Sequence, residues 1–84
     1  MKILFSDQSW EDYRYWQNTD KKILTRINEL IKDIQRNKYQ GLGKPEPLRH
    51  GLRGYWSRRI NNEHRLVYKI ENDVIYIAQL RYHY

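Results

Sequence analysis

The sequence predicts an α+β domain, with two N-terminal helices packed on one face of an antiparallel sheet, and three observations carry that prediction. Residues 20–36 set Ile23, Ile27, Leu30, Ile31 and Ile34 at i, i+4, i+7, i+8 and i+11, the spacing of a single apolar stripe along a helix. The C-terminal third changes to a period of two, interrupted by the turn-forming runs Asn61-Asn62-Glu63 and Glu71-Asn72-Asp73, as antiparallel hairpins require. Between the two regimes Gly41, Gly43, Pro45 and Pro47 form a break that no helix crosses. A chain of 84 residues makes one domain, residues 1–84, whose small core leaves function to its surface.

Taken in order, Lys2-Ile3-Leu4-Phe5 is a short strand, and Ser6 or Asp7 caps a first helix that runs to about Asn18. Trp10, Tyr13 and Trp16 recur on this helix at near-helical spacing and are assigned to packing, with Tyr15 on another side. Thr19-Asp20 caps the second helix, the most strongly patterned element of the chain. After the Gly/Pro break, residues 48–54 form a short extended piece with turns. Three strands follow, at 55–60, 64–70 and 74 to about 82. Alternation puts Leu66, Tyr68 and Ile70 on one face of the middle strand and Arg65, Val67 and Lys69 on the other, so the cationic set should face solvent or substrate. Arg58 and Arg59 point to opposite faces. The last strand is expected to hold His83 on a sheet edge, beside the middle strand.

Charge and composition narrow the function. The net charge is +6 with a pI of about 9.7, and the excess is uneven: residues 1–42 carry a balance of +2 and residues 43–84 one of +4. A cationic face with interleaved aromatics fits a phosphate backbone, although a solvated basic surface or an acidic protein partner would use the same charge. Cysteine is absent, which excludes disulfide staples, thiolate metal sites and cysteine nucleophiles, and suits a reducing, cytoplasmic setting. The opening apolar stretch is too short for a signal peptide, and no apolar run reaches membrane-spanning length. No cofactor or metal is expected, because no Asp, Glu or His cluster has ligand spacing.

Two positions stand out chemically. The chain ends Arg81-Tyr82-His83-Tyr84, and a histidine exchanges protons near neutral pH with little tuning. Glu46 is the only acid between residues 34 and 62, held between two prolines that restrict its backbone. A carboxylate, a histidine and one or more arginines are the minimum set for metal-free RNA cleavage, as general base, general acid and phosphate clamp. Taken alone, each has a plainer reading: Glu46 as an ion-pair partner of Lys44 or Arg49, Arg65 as a strand-edge solubility residue, His83 as part of a fraying terminus. An acid inside a cationic face weakens phosphate binding, so a binding module or an adaptor has less use for Glu46 than an enzyme has.

The runs Gly43-Lys44-Pro45-Glu46-Pro47-Leu48, Gly54-Tyr55-Trp56-Ser57-Arg58-Arg59-Ile60, Glu63-His64-Arg65-Leu66-Val67-Tyr68 and Arg81-Tyr82-His83-Tyr84 occur in this order along the chain. Together they resemble the YoeB/Txe toxins of type II toxin–antitoxin systems, members of the RelE superfamily of ribosome-dependent mRNA endonucleases with a microbial-ribonuclease-like α+β fold. The resemblance implies Glu46 as general base, His83 as general acid, Arg65 as the phosphate-stabilising cation and Tyr84 as a positioning group. It places Arg49 and Arg59 among further cations near the scissile phosphate, with Arg58 and Lys44 in the substrate-binding set. Position 49 is Arg where Lys is also usual in the family, which replaces a point donor with a planar fork. It further implies mRNA and the ribosomal A site of the small subunit as partners, and inhibition by a cognate antitoxin of the YefM/Axe type. Operator DNA would be bound only through the antitoxin complex. Whether the chain pairs with a second copy is left open.

Overall fold

The computed structural model describes residues 1–83, so Tyr84 and its expected role lie outside the described residues. The elements run β1 (Lys2–Phe5), α1 (Asp7–Thr19), α2 (Lys21–Arg36), β2 (Glu46–Pro47), a 3-10 turn at His50–Leu52, β3 (Trp56–Arg59), β4 (Arg65–Glu71) and β5 (Val74–Gln79). Ser6 is the N-cap of α1, its Oγ accepting from Ser9 N–H at 3.0 Å. Asp20 joins the helices with a single residue. Its N–H closes α1 on the Trp16 carbonyl at 3.0 Å while its carboxylate accepts from Lys22 and Ile23 N–H at the start of α2. In the β4–β5 turn Asn72 and Asp73 both have positive φ, 51° and 62°, the geometry that a two-residue hairpin loop demands and that Asn and Asp tolerate best.

The five strands are ordered β1-β5-β4-β3-β2. β2, β3, β4 and β5 are antiparallel neighbours, as expected, but β1 runs parallel to β5, so the sheet is mixed. The two helices carry the chain across one face to β2, which runs opposite to β1, and the three antiparallel steps from β2 to β5 then bring β5 into the direction of β1. β5 is therefore an interior strand, flanked by β1 and β4, and not the expected edge. It also ends earlier, at Gln79.

The helical face holds the core. Ile27, Leu30 and Ile34 of α2, Leu66 and Tyr68 of β4 and Ile75 and Ile77 of β5 are essentially inaccessible, joined by Trp16 of α1 and by Leu80. Each of these aliphatic side chains contributes about 1.5–3 kcal/mol by leaving water. The aromatic stripe of α1 is only partly core: Trp16 is buried, Tyr13 is half-buried, and Trp10 is exposed, lying parallel to Tyr13 with ring centroids 6.0 Å apart.

A shift of register between Val67 and Tyr68 sets the end of the sheet. Val67 pairs with Gln79 while Tyr68 pairs with Ile77, leaving Ala78 as an extra residue in β5. This bulge moves Gln79 to the open face and turns Leu80 into the core, against simple alternation from Ile77. Ser9 Oγ donates to the Ile77 carbonyl at 2.7 Å and Ser6 Oγ to the Ala78 carbonyl at 3.0 Å, so groups freed around the bulge are satisfied by α1.

Candidate active site

The face of the sheet away from the helices carries a row built by register alone. Glu46 lies opposite Ser57, Ser57 opposite Val67, and Val67 opposite Gln79, spanning β2 to β5. Residues directly opposite share a face. At about 4.8 Å per strand the Glu46 backbone is about 10 Å from Val67 and about 14 Å from Gln79, a span that fits a short stretch of nucleic acid. Two residues along the strands, Arg59 lies opposite Arg65 on the same face.

Glu46 is exposed and reaches this row because β2, a two-residue strand that periodicity did not reveal, adds to β3. It lines a groove of ≈ 330 Å³ with Pro47, Leu48, Arg49, His50 and Leu52. Lys44, Arg49 and Arg59 are exposed around it. Gly43 makes the approach of this segment to β3 feasible: its carbonyl accepts from Arg59 N–H at 2.7 Å, and with φ +80° a Cβ here would stand 3.1 Å from that nitrogen and 2.9 Å from Leu30.

At the other end, residues 80–83 leave the ladder and are held by side chains. Asp12, a carboxylate only 3% exposed, accepts from Leu80 N–H at 3.0 Å, and Trp16 Nε1 donates to the Leu80 carbonyl at 2.9 Å. Gln79 Nε2 donates to the Arg81 carbonyl at 2.9 Å. Arg65 N–H donates to the Tyr82 carbonyl at 3.0 Å, and Tyr82 N–H donates to His64 Nδ1 at 2.7 Å. The Arg81 guanidinium lies over the Tyr15 ring, 3.6 Å from its centroid, and over the Tyr82 ring at 4.7 Å. The exposed His83 borders a groove of ≈ 370 Å³ with Gln8, Asp12, Gln79, Arg81 and Tyr82. Grooves bearing Glu46 and His83 therefore lie at opposite ends of the row that contains Ser57 and Val67.

Two arginines depart from expectation. Arg58 is fully buried and does not belong to a substrate surface. It points to the helical side, where its Nη1 pairs with Asp33 and donates to the Leu42 carbonyl at 3.1 Å. Its Nη2 donates to the Asn37 and Gln40 carbonyls at 2.6 and 2.7 Å, and its Nε to the Tyr68 hydroxyl at 3.2 Å. The Arg58 guanidinium, with help from Leu42 N–H, holds the Asp33 carboxyl below its ordinary value. Burial pushes the Tyr68 phenol up, which keeps it a donor to the Lys38 carbonyl. Arg65 shares the open face with Arg59 by register, yet it is only 5% exposed. Its Nη1 bonds the carbonyls of Asn61 at 2.7 Å and His64 at 3.1 Å, so the guanidinium folds over the β3–β4 turn. Val67 is likewise buried. Lys69 reaches solvent in part: its ammonium lies between the Tyr55 and Tyr76 rings and pairs with Glu71 at 2.8 Å, the contact that chiefly raises its pKa.

Sequence reasoning missed Asp12, His64 and Gln79. Asp12 had a signal, since it shares a helix face with Trp16 at i, i+4 and so places a carboxylate on a core-facing stripe. His64 and Gln79 had none, because their partners lie across a turn and beyond a bulge. Among the described residues no group of three or more His, Cys, Asp or Glu side chains is arranged to hold a metal ion. No helix among them is long and apolar enough to cross a membrane.

Comparison with known proteins agrees with this architecture. Toxin YoeB of Escherichia coli strain K12 is 60% identical over 84 residues, covering 100% of both chains. The YoeB dimer from Staphylococcus aureus superposes with a TM-score of 0.94 at 54% identity, covering 100% of this chain and 98% of that one. YoeB in the heterotetrameric YoeB-YefM toxin–antitoxin complex of the same organism gives 0.93 at 54%, with the same coverage. Residues 5–84 match the family described as the YoeB-like toxin of bacterial type II toxin–antitoxin systems. Matched over nearly its whole length, the chain belongs to that toxin family.

Proposed function

We propose that this YoeB-family toxin is a ribosome-dependent mRNA endoribonuclease that cuts message in the A site by metal-free general acid/base catalysis, and so blocks translation. The observation that carries the reading is the row across the sheet, which puts Glu46 on the same open face as Arg59 and Arg65, with the side-chain-held tail bearing His83 at its far end. Glu46 removes the proton from a ribose 2′-hydroxyl, whose oxygen attacks the adjacent phosphorus. His83 gives a proton to the departing 5′-oxygen. Arg59 stabilises charge building on the phosphoryl oxygens, Arg65 joins it by swinging its guanidinium off the β3–β4 turn when RNA binds, and Arg49 and Lys44 hold the flanking backbone. Arg58 has no part in it, because it is buried in the Asp33 pair. Tyr84 carries a positioning role on family resemblance.

Such a site is open and shallow, which suits a substrate presented by a large partner. The +6 charge steers the toxin to ribosomal RNA. An acidic antitoxin segment of the YefM type would cover the same cations inside the cell, and the complex would bind operator DNA through the antitoxin; a relative is found in a YoeB-YefM complex. The toxin acts in the cytoplasm, where its substrate is.

The test is cleavage of a programmed mRNA on purified ribosomes, with a chelator level that leaves the ribosomes intact. Wild type should cut. Glu46→Gln should cut slower by about 10²–10⁴-fold while still binding the ribosome. A Glu46→Gln protein that cleaves at the wild-type rate would make Glu46 a surface ion-pair partner and move the base elsewhere, whereas a wild type that binds ribosomes without cutting would be a basic RNA- or ribosome-binding module.

A further inference from the structure

We propose that His64, in its neutral form with the proton on Nε2, is a positioning residue that clamps the C-terminal tail and thereby sets the place of His83. Its importance for cleavage rests on the functional reading above; the clamp itself does not.

The geometry defines the protonation state. A backbone N–H can only donate, so the 2.7 Å contact from Tyr82 N–H requires a lone pair on His64 Nδ1. Tyr82 has φ +66°, a left-handed conformation that a tyrosine adopts only when its surroundings impose it. Both its backbone groups are held from the β3–β4 turn and the first residue of β4: the amide by the His64 imidazole and the carbonyl by Arg65 N–H. His83 is the next residue in the chain, so the direction in which it leaves the sheet is set by that strained link.

The imidazole is itself immobilised. His64 N–H donates to Asn61 Oδ1 at 2.8 Å, fixing its backbone in the β3–β4 turn. Trp16 packs edge-on against the ring with centroids 4.9 Å apart, and the same Trp16 holds the Leu80 carbonyl. Tyr82 closes the other side at 5.9 Å. The titratable and charged groups around it are Arg65, whose Nη1 bonds the His64 carbonyl, and Arg81 over the Tyr82 ring. Glu63 precedes it in the turn, and Asp12 and Tyr15 come from α1, engaged with Leu80 and with Trp16. Protonating the imidazole replaces the acceptor by a second donor facing an N–H, which must separate. Acid would then release Tyr82 from its strained conformation and let His83 drift.

Nitrogen-detected NMR of the full chain tests this without any RNA. The His64 Nδ1 signal should be that of an unprotonated acceptor at about pH 8, and the Tyr82 amide should exchange slowly with solvent. Lowering the pH until the imidazole takes up a second proton should convert Nδ1 to a donor and raise Tyr82 amide opening by about tenfold, the worth of one hydrogen bond. His64→Phe keeps a ring against Trp16 but no acceptor, and should show the fast exchange at every pH. His64→Gln keeps an acceptor that does not titrate, and should lose the pH step. A proton on Nδ1 at about pH 8 overturns the proposal, as does a Tyr82 amide whose opening is unchanged in His64→Phe. If His64→Phe fails to fold, the wild-type titration and His64→Gln decide. On programmed ribosomes His64→Phe should cut about tenfold more slowly, with rescue by His64→Gln. If wild type does not cut at all, the functional reading fails while the amide measurements still judge the clamp.

Discussion

Asp33→Asn should destabilise the protein severely, although Asp33 lies on the helical side of the sheet, away from Glu46 and Arg59. The substitution keeps shape and removes charge, leaving Arg58, which has no accessible surface, without its counterion. Removing one partner of a buried ion pair costs about 3–5 kcal/mol. Here the low end applies, about 3 kcal/mol, because the Asp33 side chain keeps 16% of its exposure and the guanidinium retains the carbonyls of Asn37, Gln40 and Leu42. For a domain of this size that corresponds to a fall in Tm of about 12–24 °C. Acid provides an independent check. The folded carboxyl lies below its ordinary value, so the stability it contributes is present above about pH 4 and is lost as pH falls below that through the depressed folded value. Urea melts of wild type should therefore lose midpoint in that window, and Asp33→Asn should lack this component. The double variant Asp33→Leu/Arg58→Met, which leaves no charge behind, should recover much of the loss. A melting temperature for Asp33→Asn within a few degrees of wild type would refute the argument that this pair anchors residues 37–42 beneath the sheet.

Other outcomes follow from the same contacts. Gly43→Ala should cost about 1–3 kcal/mol in a urea melt, from the positive φ and the 3.1 Å approach to Arg59 N. Trp16→Phe keeps an aromatic ring but strands the Leu80 carbonyl, which should cost about 1–3 kcal/mol in thermal unfolding. Single-turnover cleavage should follow a bell-shaped pH profile, with Glu46→Gln removing the acidic limb and His83→Gln the basic limb; a variant that kept both limbs would reassign that residue. Protection mapping with an acidic antitoxin segment should cover Arg59 and His83, and the association rate should fall steeply as salt is raised. Both residues remaining as accessible as in the free toxin would exclude occlusion as the inhibitory mode.

Elements whose causes are local were legible in the sequence. The stripe from Ile23 to Ile34, the caps at Ser6 and Asp20, the turn at Asn72-Asp73 and the helix-breaking run from Gly41 to Pro47 each depend on neighbours within a few residues, and each stands where the pattern put it. Glu46 and His83 were legible as candidates because residue type and spacing could be read, and the ordered runs around them resembled one family. The parallel placement of β1, the two-residue β2 and the bulge at Ala78 were not, since strand partners and register are decided by which faces the helices cover.

The arginines show where that boundary lies. Sequence determined that Arg58 and Arg59 face opposite sides of β3, because alternation is a property of the backbone itself. Only the tertiary structure decided which side was interior and found an anion, Asp33 from twenty-five residues earlier, to make a buried guanidinium tolerable. The C-terminal tail is the same case. Its residue types and their closeness along the chain are sequence, whereas its path depends on Asp12, Trp16, His64 and Arg65, which hold backbone groups that no strand pairs. Those groups must find partners once they leave water, and which partners are within reach is a matter of packing.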